Sequence, residues 1–437
     1  MTRHFSWAAI AVVLTMGGIS NLLAQDYPAS ERAGVPGLAY QAPSTTPFVP
    51  EPTRAAPGQA PQTAPGATAP AAPGTAAPAA PGGTTPSPAA SNGNNVFSQG
   101  GGGDQFAMAA ESFAPNMIGD SLAVMYLKVG HGGFTDAVAS PSGGFGRFKM
   151  CDDTSPLPQD RVLTDSSFFG GALSADGAGG LTRLNVYGFE AGFEKTLLSG
   201  AASVEVRGPL SDVETVGCHF GDMGIALKGL LVNRCDLAIC AGMSMNVPTA
   251  PNTVTTGLDD VAAANPHLLG QHLPTTITIE NQSVHLLPFA GALWMPSCRF
   301  FVQGYLQVDV DASGNEVLEG LTTFPLRSIG RLYDPTFLYV DVGAGYWLRR
   351  GDCSRSISGL ACIGEIHVNQ SLGSGGVISD GTVSVPPVSY SFVDFTAGAY
   401  LDFGGNGNVT IGYVAPLTGG SDRFFDGELR AFYNYRF

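Results

Sequence analysis

Apolar and polar residues alternate with a period of two along most of the chain, from about Ser121 to the C-terminus. In the stretch 393–403, for example, Val, Phe, Ala, Ala, Leu and Phe alternate with Asp, Thr, Gly, Tyr and Asp. This pattern is typical of β-strands that bury one face. The segments are roughly ten residues long, the length that a tilted strand needs to cross a membrane. The pattern therefore predicts an all-β fold, an antiparallel transmembrane β-barrel.

The connections between these segments alternate in length. They are short at 198–200, 233–235, 295–297 and 404–406, and longer at 209–220, 248–282, 311–335, 371–387 and 416–424. In outer-membrane barrels, short turns face the periplasm and long loops face outward. The alternation holds from Leu181 onward when 311–335 is treated as one outer loop, for instance a hairpin that extends above the membrane.

This alternation predicts a barrel of about fourteen strands, an even number that places both of its ends in the periplasm. The predicted strands are 121–129, 143–151, 160–169, 181–197, 201–208, 221–232, 235–247, 283–294, 298–310, 336–348, 359–370, 388–403, 407–415 and 425–437. The first three have the weakest pattern, and 145–150 could instead enter the lumen.

The last strand ends in a pattern that predicts membrane insertion. Leu429, Tyr433, Tyr435 and the terminal Phe437 fall on one face, and charged residues fall mostly on the other. This arrangement resembles the C-terminal signal by which bacterial outer-membrane barrels are recognised for insertion. We therefore expect the cell outer membrane as the location, and outer-membrane lipid and the barrel insertion machinery as partners.

Charged residues on the polar faces of the strands are candidates for the lumen. A charge on the lipid face would cost about 2–4 kcal/mol at the middle of the membrane. Aromatic residues share these faces, which favours a narrow or plugged pathway over a wide water-filled pore. The candidate lumen residues are Arg299, Asp309, Asp341, Glu365, His367, Asp394, Asp402, Glu428, Arg430 and Arg436.

The region before the barrel divides into three parts. Residues 1–24 have the basic start and apolar run of a secretory signal peptide. Residues 25–105 are rich in Pro, Ala and Gly and nearly free of charge, so we expect a disordered linker. Residues 106–120 are a plug or a barrel-entrance segment, and 121–437 is the barrel.

Composition excludes several classes of protein. Charged residues make up 13% of the chain, the net charge is −15, and the chain contains 59 Gly and 31 Pro. This charge gives no support for nucleic-acid binding, and no internal apolar stretch is long enough for a membrane helix. No motif for an enzyme or a cofactor is present. We therefore expect neither catalysis nor a bound cofactor.

Seven cysteines in an exported chain suggest disulfides. Cys353 and Cys362 could join two neighbouring strands, while sequence alone leaves the pairing of the others open. A metal site at Cys218, His219, Cys235 and Cys240 is the alternative, although the spacing matches no zinc-binding framework.

Several blocks of sequence resemble a large planctomycete family of predicted outer-membrane β-barrel proteins. They are Ser155–Val162, Phe193–Thr196 with Ala202–Arg207, Leu286–Phe289, and Phe425–Arg430. Leu157 stands where the family has Arg. The resemblance covers about 115–437. It implies an outer-membrane protein distantly similar to hydrocarbon and fatty-acid transport barrels, and it implies no catalytic residue.

Two functions follow as hypotheses. The first is passive or channel-type passage of a small solute, for which an apolar solute is one option. The second is an outer-membrane adhesin or enzyme that acts through its long outer loops, such as 248–282. A secreted soluble β-sandwich lectin is a third and weaker alternative.

Overall fold

The part of the chain that the structure describes is built almost wholly from β-strands. The structure is a computed structural model, which describes residues 114–121, 126–131, 134–139, 147–177, 180–213, 217–260, 272–321, 325–350, 357–379, 383–385, 389–404 and 406–437. All of them belong to one compact unit, Ser91–Phe437. Among them no helix is long and apolar enough to cross a membrane.

These residues form twenty-one strands and two short 3-10 helices, Leu198–Gly200 and Gly420–Asp422. The strands are β1 (Tyr126–His131), β2 (Phe134–Ala139), β3 (Arg161–Gly177), β4 (Gly180–Leu197), β5 (Ala202–Val213), β6 (Gly217–Phe220), β7 (Met223–Asn233), β8 (Leu237–Val247), β9 (Thr253–Asp260), β10 (His272–Glu280), β11 (His285–Trp294), β12 (Phe300–Asp311), β13 (Asn315–Leu321), β14 (Arg327–Leu332), β15 (Phe337–Arg350), β16 (Gly359–Ser371), β17 (Ile378–Ser379), β18 (Val383–Val385), β19 (Ser391–Asp402), β20 (Gly407–Pro416) and β21 (Gly427–Arg436).

Twelve of the strands close into an antiparallel barrel. Its order is β3, β4, β5, β7, β8, β11, β12, β15, β16, β19, β20 and β21. The last strand returns to the first, because β21 pairs with β3 from Arg436 opposite Arg161 to Gly427 opposite Gly170. β6 pairs with the end of β5 and lies outside the closed ring. The predicted all-β antiparallel barrel is confirmed.

The predicted count of fourteen strands is wrong, because the described residues form a barrel of twelve. The predicted strand 121–129 corresponds to β1, which belongs to a separate sheet. The described part of 143–151 is not a strand, and every residue from 147 to 159 is buried. A membrane strand must alternate buried and exposed side chains, so this segment cannot face lipid. The other twelve predicted strands each overlap one strand of the barrel.

The longer connections carry strands of their own at one end of the barrel. We call this the loop end, and we call the end that holds Leu198–Gly200 the short-turn end. The hairpins β9–β10 and β13–β14 form a four-stranded sheet in the order β14-β13-β10-β9. A second sheet has the order β17-β18-β1-β2, and it touches the first where β2 contacts β9 and β14 contacts β17. The hairpin suggested within 311–335 is therefore present.

Several predictions fall outside the described residues. The signal peptide (1–24), the disordered linker (25–105) and the first part of the plug or entrance segment (106–113) stay predictions. Cys353 also lies outside, so its pairing with Cys362 is untested. Six described cysteines, Cys362 among them, are free thiols: Cys151, Cys218, Cys235, Cys240, Cys298 and Cys362.

Candidate functional site

A segment that precedes the barrel strands rises through the lumen from the short-turn end. The carbonyl oxygen of Pro115 accepts a hydrogen bond from Gln303 Nε2 at 3.0 Å, near the short-turn end of β12. Five residues later, Asp120 accepts a hydrogen bond from Asn369 Nδ2 at 2.7 Å, near the loop end of β16. Residues 114–120 are buried throughout. This segment therefore runs along the inside of the barrel.

The chain then leaves the lumen and returns through it. β1 and β2 pair with each other, and β1 also pairs with β18 in the sheet at the loop end. Arg147 then binds Asp309 and Asp334 near the loop end of β12, at 3.0 and 2.5 Å. Residues 147–160 descend from there to Arg161, which begins β3 at the short-turn end. We call 114–121 and 147–160 together the lumenal segment.

Glycines on the barrel wall make room for the lumenal segment. Gly398 of β19 and Gly412 of β20 lie opposite each other in the register. A Cβ atom at either position would come within 2.5 or 2.7 Å of the Ile118 side chain. Gly224 similarly faces Phe148, with 2.6 Å from a Cβ to the ring. Such distances are shorter than carbon contacts allow, so these positions require glycine for the segment to dock as it does.

Near the short-turn end, buried arginines fix the lumenal segment to the wall. Arg161 donates to Glu194 at 2.9 Å and to Glu205 at 3.1 Å, and it also binds Asp153 of the lumenal segment at 3.3 Å. Arg207 donates to the carbonyl oxygen of Asp152 at 2.9 Å. Buried charges are tolerated when they are paired and hydrogen-bonded in this way.

Near the middle of the lumen, a carboxylate holds the backbone of the lumenal segment. Glu365 of β16 accepts hydrogen bonds from the amides of Ile118 and Gly119, both at 2.8 Å. Lys149 binds Asp120 and also Asp341, the latter at 2.9 Å. Hydrogen bonds to a charged group are stronger than neutral ones, so Glu365 is a principal anchor.

The barrel seam is tied to the lumenal segment through Arg430. Its guanidinium on β21 donates to Asp165 of β3 and to Asp152, both at 2.8 Å. Asn434 lies four residues further along β21, on the same face as Arg430, and donates to Asp153. The strands that close the barrel are thus joined to each other and to the lumenal segment by the same side chains.

The lumen is occluded along its described length. Asp341, Glu365, His367 and Arg430 point inward, and none has more than 1% of its surface exposed. In a water-filled bore such side chains would be exposed to solvent. Charge balance also indicates filling, because the wall carboxylates meet basic groups of the lumenal segment and of neighbouring strands instead of water.

The predicted lumen residues fall into two groups. Those that the structure buries on the inner face are Asp309, Asp341, Glu365, His367, Asp394, Glu428 and Arg430. Asp402 and Arg436 are half-buried at the short-turn end, and Arg299 is exposed there. The expectation for Arg299 is corrected because β12 begins one residue later, at Phe300, so Arg299 belongs to the turn.

Sequence reasoning missed most of the charged residues that hold the lumenal segment. These are Asp120, Arg147, Lys149, Asp152, Asp153, Arg161, Glu194, Glu205 and Arg207. One signal for them was present: Arg161, Glu194, Glu205 and Arg207 lie in blocks that carry the family resemblance. Those blocks converge on the lumenal segment.

Aromatic side chains form a cluster at the loop end of the lumen. Phe337 stacks on Tyr339 and on Tyr390, with ring centroids 5.8 and 6.4 Å apart. Tyr390 and Phe392 each meet the ring of Phe424 edge-on, at 4.8 and 5.0 Å. The guanidinium of Arg147 lies 5.5 Å from the Phe337 ring, so the aromatic cluster touches the lumenal segment directly.

A cavity opens beside the aromatic cluster. Its volume is about 420 Å³, and Tyr390 lines it together with Gln370, Ser371, Leu372, Ser391 and Asp422. This is within the range of small-molecule sites. One ring therefore belongs both to the cavity and to the aromatic cluster that touches the lumenal segment.

One buried group in the lumen has the donor atoms of a metal site. Atoms of Asp120, Cys151, Asp341 and His367 lie within 4.8 Å of one another. The ammonium group of Lys149 binds both Asp120 and Asp341. A cation supplied by the chain itself thus pairs with the two carboxylates of this group.

The outer surface of the barrel is apolar. β11 alternates buried and exposed residues along its whole length. Exposed apolar side chains recur around the ring, with Leu227 at 56%, Leu306 at 51%, Val342 at 52% and Leu429 at 51% exposure. Soluble proteins do not expose a continuous apolar band, and a closed barrel with such a band is the architecture of outer-membrane proteins. The protein is an outer-membrane β-barrel.

The residues of the predicted assembly signal lie on this outer surface. Leu429, Tyr435 and Phe437 are 51%, 44% and 56% exposed, and Tyr433 is half-buried. They share the face of β21 that meets lipid. Their recognition by the insertion machinery stays a prediction.

Solved outer-membrane barrels resemble the fold at a low level. An outer-membrane channel from Pseudomonas putida F1 has a TM-score of 0.43 and 12% identity, over 64% of this chain and 97% of that chain. The translocator domain of the autotransporter NalP from Neisseria meningitidis has a TM-score of 0.39 and 12% identity, over 63% of this chain and 88% of that chain. A FadL homologue from Pseudomonas aeruginosa has a TM-score of 0.37 and 9% identity, over 64% of this chain and 90% of that chain. These values carry no information on substrate or activity. No family model matches the chain, and no curated protein matches it in sequence.

Proposed function

We propose that the protein is a plugged outer-membrane channel that passes a small solute when part of its lumenal segment moves. The observation that carries the proposal is the filled lumen: a barrel of twelve described strands encloses 114–121 and 147–160. A barrel of this size has room for a pathway only if such a segment shifts. The lumenal segment acts as the gate.

The contacts that hold the lumenal segment are both apolar and polar. Met117, Ile118 and Phe148 pack in buried hydrophobic clusters with wall residues. Glu365, Arg161 and Arg430 bind it through hydrogen bonds and ion pairs. Water can replace these polar bonds when the segment moves, which offsets part of the free energy of breaking them.

The ring of Tyr390 offers an aromatic solute a stacking contact in a cavity whose lining is otherwise mostly polar. Tyr390 lines the cavity and stacks on Phe337, which in turn lies against Arg147 of the lumenal segment. A solute that binds beside Tyr390 would therefore contact the ring that positions the upper end of the gate. We propose this cavity as the first binding site on the outer side.

The proposed family fits this function. The blocks that resemble the planctomycete barrels supply Arg161, Glu194, Glu205 and Arg430, which anchor the lumenal segment or the seam. We propose that the chain shares a plugged barrel with that family, and that it has no catalytic role.

The test is uptake of toluene, as a small aromatic probe, into vesicles that contain the purified protein. We expect uptake above that of protein-free vesicles, and we expect Tyr390→Ala to reduce it. Tyr333→Ala is the control, because Tyr333 is an exposed tyrosine at the loop end, outside the aromatic cluster. Uptake no faster than in protein-free vesicles would refute the channel, and equal uptake by both variants would refute the solute site.

One observation favours the alternative, binding through the outer loops. The loops are ordered as two four-stranded sheets that touch each other, which is more structure than a passive rim requires. Deletion of Thr253–Glu280 separates the two functions. Loss of cell-surface adhesion with unchanged uptake would support an adhesin in place of a channel.

A further inference from the structure

Arginines gather on one side of the short-turn end of the barrel. Arg234 lies in the turn between β7 and β8, Arg299 in the turn between β11 and β12, and Arg349 near the end of β15. All three are exposed. The net charge of the whole chain is −15, so a local group of basic residues contrasts with the acidic character of the protein.

Backbone contacts show that these positions form one continuous edge. The amide of Met295 donates to the carbonyl oxygen of Asp236 at 2.7 Å, which joins the first turn to the second. The amide of Trp347 donates to the carbonyl oxygen of Arg299 at 2.8 Å, which joins the second turn to β15. Neighbouring strands lie about 4.8 Å apart, so the three arginines are spread along the rim from the β7–β8 turn to β15. We call Arg234, Arg299 and Arg349 the arginine edge.

The arginine edge has no ion-pair partner among the residues that the structure describes. None of its three side chains forms an ion pair with a described residue, and Asp236 is the single acid in the described parts of these turns. Elsewhere on the same end the base is paired, because Lys195 binds Asp160 at 2.9 Å. Burial opposes ionisation of Asp160, but hydrogen bonds from Thr196 and Lys195 hold its pKa below the usual range.

Aromatic side chains place the arginine edge at the level of lipid headgroups. Trp294, Phe300 and Tyr346 lie on the outer surface of the same strands and are 49%, 37% and 42% exposed. Aromatic residues on a barrel surface mark the membrane–water interface. The arginines lie just beyond them, where phosphate groups of the adjoining leaflet stand. Guanidinium groups bind phosphate bidentately.

We propose that the arginine edge is a binding site for an anionic phospholipid headgroup of the periplasmic leaflet. Lipid phosphates lie along Arg234, Arg299 and Arg349, and the acyl chains lie along Trp294 and Leu348. This site is independent of the lumen and of the proposed channel function. It would fix the depth of the barrel on the side where these three strands and turns meet the membrane.

Tryptophan fluorescence can report on this site directly. The chain contains three tryptophans, of which Trp7 lies in the predicted signal peptide, Trp347 is 3% exposed and Trp294 is 49% exposed. Lipids with brominated acyl chains quench tryptophan at close range, so they report occupancy beside Trp294. The protein is placed in phosphatidylcholine vesicles with rising fractions of brominated phosphatidylglycerol or brominated phosphatidylcholine.

We expect phosphatidylglycerol to occupy the site more strongly than phosphatidylcholine, by about fivefold for each arginine that meets a lipid phosphate. The triple variant Arg234→Gln, Arg299→Gln, Arg349→Gln should lose the preference. Lys195→Gln, which removes a paired base from the same end, should keep it. High salt should weaken the preference in the unmodified protein.

Three results would overturn the proposal. They are equal quenching by the two brominated lipids in the unmodified protein, an unchanged preference in the triple variant, and stronger competition by lipid A than by phosphatidylglycerol. Lipid A belongs to the opposite leaflet, so its preference would place the site at the wrong end. If the triple variant does not assemble, Arg299→Gln alone, in an exposed turn, provides the comparison.

Discussion

Replacing Glu365 with alanine should loosen the gate without removing any strand of the barrel. The Glu365 carboxylate accepts the amides of Ile118 and Gly119, both at 2.8 Å, and is 1% exposed. Its removal leaves two buried N–H groups without an acceptor. It also leaves His367 Nε2 without the carboxylate oxygen that lies 3.3 Å away.

The magnitude follows from the two lost hydrogen bonds. A hydrogen bond to a charged group contributes about 1.5–3 kcal/mol, so the docked state should lose at least about 3 kcal/mol. Each 1.4 kcal/mol is a factor of ten, so the ratio of displaced to docked lumenal segment should rise by about 100-fold. Glu365→Gln keeps one acceptor oxygen and should give an intermediate rise.

Single-channel recording in planar bilayers measures this ratio as the fraction of time that the channel conducts. Glu316→Ala is the matched control, because it removes a carboxylate from the hairpin β13–β14 outside the lumen. All three variants should keep the heat-modifiable gel mobility of a folded barrel. If Glu365→Ala conducts no more often than the unmodified protein and Glu316→Ala, the lumenal segment is not a gate held by this carboxylate.

Four further predictions test separate parts of the structure. Gly412→Ala places a Cβ 2.7 Å from Ile118 and should raise conductance, whereas Gly364→Ala, with its nearest atom at 4.0 Å, should not; equal recordings would contradict the tight fit. Arg161→Ala leaves buried carboxylates without their cation and should cost about 3–5 kcal/mol, seen as a lower unfolding temperature on gels; an unchanged temperature would count against the ion-pair anchor. An epitope inserted after residue 132, between β1 and β2, should bind antibody on intact cells, and absence of labelling on cells that carry assembled protein would place this hairpin elsewhere. Phe437→Lys should reduce the amount of assembled protein in the outer membrane, and normal amounts would remove the proposed signal.

Strand periodicity predicted most of the fold, because each barrel strand has one face toward the lumen and one toward lipid. In β11, buried residues alternate with exposed residues that face lipid, so the alternation is visible in the sequence itself. The same reasoning placed Asp341, Glu365 and Arg430 on the inner face, where they lie. Connection lengths then separated the two ends of the barrel.

The lumenal segment could not be read from periodicity, because it is buried on all sides. Residues 147–159 have no face that meets lipid or water, and a segment with one environment has no alternating pattern. Its partners are also remote in sequence, since Ile118 and Glu365 are 247 residues apart. The charge pairs that fix it depend on barrel closure and not on any local motif.

The path of the chain through its own barrel has a consequence for biogenesis. The hairpin β1–β2 stands outside the loop end, while the residues before and after it line the lumen. We expect β21 to join β3 after the lumenal segment is in position, because the paired hairpin β1–β2 is wider than a single extended chain and would otherwise have to pass through the closed barrel. Arg430 binds both Asp152 of the lumenal segment and Asp165 of β3. The final pairing of β21 with β3 therefore depends on the presence of the lumenal segment.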